Sequence, residues 1–186
     1  MNIGFALCGS FCTYSAVFPV MEELAKVHTL IPILSPAAAG TDTRFGRAQE
    51  HSKRLTEICG RPPLTTLADV EPIGPQRMLD ILVIAPCTGN TLAKLAHGIA
   101  DTSVTMAAKS HLRNGRPVLI GISSNDALAA GAENLGRLLN RKHYYFVPFG
   151  QDDAFGKPYS TVAKFEKLPQ ALRAAMEGYQ IQPMLV

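Results

Sequence analysis

Apolar residues in this chain fall into short continuous runs, separated by segments in which they recur every three or four positions. The runs are Ile3 to Cys8, Thr29 to Leu34, Ile81 to Ala85, Pro117 to Ile122 and His143 to Val147. Each predicts a buried strand. Residues 13–27 carry Val17, Met21, Leu24 and Ala25 at helical spacing, with Pro19 expected to kink that helix or delay its start. A polar helix is expected over Gly46 to Cys59, and another follows Thr91 with Leu92, Leu95, Ala96 and Ile99 on one face. Asp101 can cap a helix reaching Leu112. Ser124 or Asn125 can cap one carrying Leu128, Ala132, Leu135 and Leu139. Leu168 to Gly178 predicts a terminal helix.

The remaining stretches carry turn signals. Pro62, Pro63, Pro72 and Pro75 divide residues 60–79 into turns around one short strand near Thr65 or Val70. Pro148 to Pro158 is a loop rich in Gly, Asp and Pro, and the residues after 178 form a loose tail. Strands alternating with helices predict an α/β fold: a single-domain Rossmann-like or flavodoxin-like three-layer sandwich with a mainly parallel sheet, over residues 1–178.

In such sheets ligands bind outside the carboxyl ends of the strands. Four of those ends are small or hydroxyl-rich: Gly9-Ser10-Phe11-Cys12, Ser35-Pro36, Pro86 to Thr91, and Ser123-Ser124-Asn125-Asp126. Together they predict one continuous polar crevice. The turn Pro86-Cys87-Thr88-Gly89-Asn90-Thr91 is the most informative, because it ends a buried strand and opens a helix. Its first N–H groups lack intrahelical acceptors, and Thr88, Asn90 and Thr91 add short polar side chains. These turns suit a phosphate or a flat polar ligand. Arg44, in the loop leaving the second strand, is the anion-binding candidate, and Asn125 and Asp126 are substrate-binding candidates or helix caps.

Composition narrows the function classes. Apolar residues make up 47% and charged residues 18% of the 186, which fits a sizeable core. No run approaches the roughly 18 apolar residues of a membrane span. The start of the chain enters a strand with no basic signal-peptide region, so a cytoplasmic setting is expected. Net charge is +3 with scattered basic residues, which argues against nucleic acid. The cysteines at 8, 12, 59 and 87 form no CxxC pair, so free thiols and no metal site are expected. His51 shares a polar helix with Lys53 and Arg54 and is expected on a solvated face. Asp152 and Asp153 read as a polar loop or a partner contact. With no G-x-S-x-G elbow, metal-ligand pair or P-loop lysine, no residue is assigned as catalytic. The chemistry is expected from a bound cofactor or a second chain.

The turns at Gly9-Ser10, Ser35 and Pro86 to Thr91 resemble those of the FMN-binding flavoprotein family that includes cysteine decarboxylases. The hexapeptide is similar to the family's Pro-Ala-Ser-Ala-Asn-Thr signature at Pro86, Asn90 and Thr91. The resemblance implies FMN held by Gly9, Ser10, Phe11, Cys12, Ser35, Pro86, Cys87, Thr88, Asn90 and Thr91, in a homo-oligomer. Where decarboxylases carry Pro-x-Met-Asn, this chain reads Ile122-Ser123-Ser124-Asn125. Phe5 to Tyr14, Ser123 to Leu135 and Tyr144 to Asp153 are similar to a branch of the family from spore-forming bacteria. That branch implies one half of a two-component oxidoreductase that makes pyridine-2,6-dicarboxylate from a dihydro precursor during sporulation. It acts only with a second chain, which carries NAD(P) on a dinucleotide-binding fold. The alternatives are an independent FMN-dependent decarboxylase and a non-catalytic binding component.

Overall fold

A computed structural model describes residues 1–186. The apolar runs form β1 (Asn2–Leu7), β2 (Thr29–Leu34), β3 (Ile81–Cys87), β4 (Val118–Ser124) and β5 (Tyr144–Phe146). These pair in parallel in the order β2-β1-β3-β4-β5. Every residue of β3 and β4 is buried, as continuous apolar runs require when helices cover both faces of a sheet. The helices are α1 (Tyr14–Ala25), α2 (Pro36–Gly40), α3 (Ala48–Cys59), α4 (Leu67–Val70), α5 (Gly89–His97), α6 (Ser103–Leu112), α7 (Ala132–Leu139) and α8 (Leu168–Met176). The chain steps from β1 outward to β2, then from β3 outward the other way to β4. Right-handed crossovers therefore place α1 on one face and α5 and α6 on the other. The reversal between β1 and β3 opens a crevice at the carboxyl edge of the sheet.

The fold is the expected three-layer α/β sandwich, with several local differences. Pro19 lies within α1, yet the helix already begins at Tyr14. Residues 60–79 hold no strand. Leu64 makes a single bridge to Ile33, and Thr66 caps the short helix α4 through the N–H of Asp69. The cap of α6 is Thr102 rather than Asp101, whose carboxylate instead pairs with Lys94 at 2.7 Å. Neither Ser124 nor Asn125 caps a helix: Ser124 ends β4, and α7 starts later, after Gly131. Residues 148–158 are not a loop. They carry β6 (Phe149–Asp153) and open β7 (Lys157–Ala163), an antiparallel hairpin joined to the carboxyl end of β4 through Ser123↔Val162 and Ser124↔Thr161. The final residues are docked, not loose. The Gln180 side chain hydrogen-bonds the N–H and the carbonyl of Phe146, both at 2.8 Å, and Val186 pairs with Phe149.

Candidate functional site

Three chain segments converge at the crevice. The turn after β1 supplies Ser10, Cys12 and Thr13. The turn after β3 supplies Thr88, Gly89 and Asn90, and the end of β4 supplies Ser123 to Asp126. They line a polar cleft of about 650 Å³. The β6–β7 hairpin closes its far side with Asp152, Lys157, Ser160, Thr161 and Val162.

The hydroxyls here divide into those already engaged and those left over. Ser10 Oγ donates to the Ser123 carbonyl at 2.8 Å, tying the β1 turn to the end of β4 across β3. Thr88 caps α5, its Oγ1 accepting from the N–H of Thr91 at 3.3 Å. Ser124 Oγ donates to Asp126 Oδ1 at 2.5 Å. Thr161 Oγ1 is different: the residue is 3% exposed and this oxygen has no hydrogen-bond partner. A buried hydroxyl without a partner costs about 1–3 kcal/mol, so this atom marks a place for a ligand. Asn90 and Asn125 are exposed at the wall of the same cleft.

Gly89 is required by this packing. A Cβ there would lie 2.6 Å from Ser124 Oγ and 2.7 Å from Asp126 Oδ1. Asp126 thus sits over the first turn of α5, where a negative charge is favoured. The charged residues of the cleft are Asp126, Asp152 and Lys157, and Lys157 is already paired with Asp152 at 2.6 Å. An anionic group entering the cleft would therefore rely on backbone N–H groups and hydroxyls more than on side-chain cations.

Ser10, Cys12, Thr88, Asn90, Asn125 and Asp126 are brought together in the cleft. The other sequence candidates stand outside its lining. Gly9 precedes Ser10, and Phe11 faces a neighbouring aromatic pocket. Ser35 is buried and caps α2 by accepting from the N–H of Ala38 at 3.2 Å. The Pro86 carbonyl accepts from the N–H of Cys8 at 3.2 Å. Thr91 Oγ1 donates to Cys8 Sγ at 3.3 Å, and Cys87 is fully buried. Arg44 is exposed and lies over the Phe45 ring, 4.8 Å from its centroid. Burial raises the Cys8 thiol to about 11 and pushes Cys87 well above the ordinary range, so both stay protonated and pack as small apolar groups.

The hairpin side of the cleft is what sequence reasoning missed. Tyr159-Ser160-Thr161-Val162 is β-compatible, but Pro158 and the Gly- and Asp-rich segment before it read as loop. His51 also differs from expectation. It is 8% exposed, with Tyr14 edge-on at 4.9 Å between ring centroids and Phe11 and Phe18 nearly parallel to it at 6.3 and 6.1 Å. The charges of Lys53 and Arg54 drew the helix as solvated, but one face turns inward onto α1.

Residues 1–162 match the Flavoprotein family. The whole chain is 47% identical over 186 residues to the B subunit of dipicolinate synthase from Bacillus subtilis (strain 168), covering 93% of that protein. Among solved structures, the B subunit of dipicolinate synthase from Bacillus halodurans C superposes with a TM-score of 0.91 at 44% identity, covering 100% of this chain and 95% of the other. DmrB of Burkholderia xenovorans in complex with FMN, described as a cubic protein cage for redox transfer, superposes with a TM-score of 0.71. It is 22% identical, with 95% of each chain covered, and shows a shared fold.

Proposed function

Because the chain belongs to the Flavoprotein family, we propose that it works as the B subunit of a dipicolinate synthase. With a second subunit it would oxidise a cyclic dihydrodipicolinate-type precursor to pyridine-2,6-dicarboxylate during sporulation. The observation that carries this reading is the likeness to the B subunit of a dipicolinate synthase at 47% identity across the full chain. The same stretch that departs from the decarboxylase pattern, Ile122-Ser123-Ser124-Asn125, favours this reading over an independent decarboxylase.

The oxidation removes two electrons and two protons from the ring, and no side chain of this protein accepts electrons. FMN would supply that acceptor when bound. The cleft's residues fit the group: it is lined with hydroxyls and amides, opens at the first turn of α5, and leaves Thr161 Oγ1 unpartnered. Ser10, Thr88, Asn90 and Thr161 would hold the cofactor, and Cys12 would border it. Asn125 would orient the substrate or the cofactor's ring edge, and Asp126 would set the charge beside it. Gly9, Phe11, Ser35, Pro86, Cys87 and Thr91 would shape the cradle from behind. The partner, the other component of dipicolinate synthase, would carry NAD(P), and the chain would assemble as a cytoplasmic homo-oligomer. No helix is long and apolar enough to cross a membrane.

The test is reconstitution of the purified chain with the synthase's other component on a dihydrodipicolinate-type substrate, followed by ultraviolet absorbance of the aromatic product. Product should require both chains, and Thr161→Val should slow turnover without changing the fold. Full turnover by the other component on its own would overturn the reading.

A further inference from the structure

The tip of the β6–β7 hairpin holds one aromatic ring out in solvent. Asp153 Oδ1 accepts from the N–H groups of Phe155 and Gly156 at 3.2 and 2.9 Å. Gly156 leaves room for that carboxylate, which a Cβ there would strike. Lys157 pairs with Asp152 at 2.6 Å, and Gln151 Nε2 donates to the Pro158 carbonyl at 2.9 Å. On this braced turn Phe155 is 99% exposed, so nothing in its own chain covers the ring. Tyr159 and Leu128, joined by a backbone hydrogen bond, are exposed as well. A lone exposed ring is ordinary, but a ring held out on a rigid turn with apolar neighbours is an anchor already ordered for burial.

A receptor of matching size lies on the same chain. A cavity of about 310 Å³ beside the cleft is walled by Phe11, Tyr14, Phe18, Phe45 and His51, and it shares Cys12 with the cleft. The charged groups of its lining are already engaged. The Glu50 carboxylate accepts from the Arg47 N–H at 3.0 Å, and Arg54 pairs with Glu22 at 3.0 Å. The Tyr14 hydroxyl donates to the Cys8 carbonyl at 2.9 Å. Such walls suit an uncharged aromatic ring, which packs on their faces and edges and needs no counter-ion. The volume is at the small end for ligand pockets and suits one ring. Outside the lining, Arg44 lies over Phe45 and pairs with no carboxylate. The hairpin tip sets Asp152 and Asp153 against the single Lys157, so its net charge is opposite to that unpaired cation.

We propose that the Phe155 ring of one copy of this chain seats in the aromatic pocket of a second copy, with the acidic tip against Arg44. Knob and pocket are different surfaces, so the contact is head-to-tail, and its repetition builds a ring or a filament of copies. Because the pocket shares Cys12 with the cleft, each seated tip borders its neighbour's cleft. The inference rests on the homo-oligomer proposed above and supplies its contact.

The experiment is sedimentation velocity of the full chain over a concentration series, with Phe155→Ser and Ser15→Trp. Phe155 is uncovered, and Ser15 is an exposed α1 residue of the pocket lining, so both variants keep their fold. The first removes the knob and the second fills the pocket. The wild type should be oligomeric. Each variant alone should dissociate at concentrations about thirtyfold higher or more, as loss of a central aromatic anchor predicts. Mixed, the two should form a dimer of one copy each and nothing larger, since each pair holds one intact knob and one intact pocket. Cys12 should be alkylated faster in Phe155→Ser than in the wild type. An oligomer unchanged by Phe155→Ser, or a mixture that forms no dimer, would overturn the contact and leave the homo-oligomer standing. An unchanged oligomer that loses the synthase's other component in Phe155→Ser would assign the tip to that chain instead. A wild type monomeric at every concentration would sink the contact and the homo-oligomer together, leaving the synthase reading to its reconstitution test.

Discussion

Gly89→Ala probes how tightly the cleft is built. The new methyl would lie 2.6 Å from Ser124 Oγ and 2.7 Å from Asp126 Oδ1, well inside contact distance. Ser124 is held in β4, so Asp126 must give way, breaking its 2.5 Å hydrogen bond with Ser124. Overpacking costs about 1–3 kcal/mol, and the better helix propensity of alanine returns less than about 1 kcal/mol in the first turn. A net destabilisation of about 1–2 kcal/mol is expected, read as a lower midpoint in urea at unchanged slope. Asp126→Ala removes one obstruction and, by releasing Ser124 Oγ from its hydrogen bond, lets that hydroxyl rotate away from the other, at a cost of about 0.5–1.5 kcal/mol. The double variant should then be no less stable than Asp126→Ala alone, because the alanine finds room. The double-variant cycle should show a coupling of about 1 kcal/mol or more, as expected for residues in contact. Additive losses would refute the claim that Asp126 covers the first turn of α5.

Other outcomes follow from buried and docked groups. His111 is fully buried, and burial lowers its pKa to about 4 from an ordinary 6.5, so the folded state holds it neutral. The unfolded chain takes up a proton that the folded chain refuses as pH falls through 6.5. Stability should therefore drop by about 2 kcal/mol between pH 7 and pH 5 and level off below about 4. His111→Gln should flatten that part of the urea-midpoint profile. Gln180→Ala should cost about 1–2 kcal/mol by removing its hydrogen bonds to Phe146, and should speed hydrogen exchange at the Phe146 amide. Cys12 is exposed while Cys8 and Cys87 are buried. Alkylation followed by mass spectrometry should label Cys12 first and the buried pair only on unfolding, and a ligand in the cleft should slow labelling of Cys12.

The sequence made the sheet legible because its strands are continuous apolar runs bounded by turn residues. Thr29–Leu34 was readable to the residue despite Pro32, which an edge strand tolerates. The convergence of the turns at Ser10, Thr88 and Asn125 was also legible, since a parallel sheet gathers its carboxyl ends at one edge. The hairpin was not. Its Gly, Asp and Pro content mimics a loop, and its pairing depends on β4 extending beyond β5, a tertiary fact. Capping was misread where several suitable residues stand in a row, as at Asp101-Thr102, because Lys94 competes for Asp101. His51 hid behind its charged neighbours: a helix with a polar average still turns one edge inward, and only the aromatic residues of α1 decide which.

The cleft between β1, β3 and the hairpin is proposed to hold a flavin nucleotide. The most direct measurement is titration of FMN with the purified chain, followed by flavin fluorescence, in the wild type and in Thr161→Val. The account predicts saturable quenching by the wild type. It also predicts affinity about fivefold or more weaker in the variant, in line with about 1 kcal/mol for one lost hydrogen bond. Absence of saturable binding, or identical affinity in the two proteins, would contradict it.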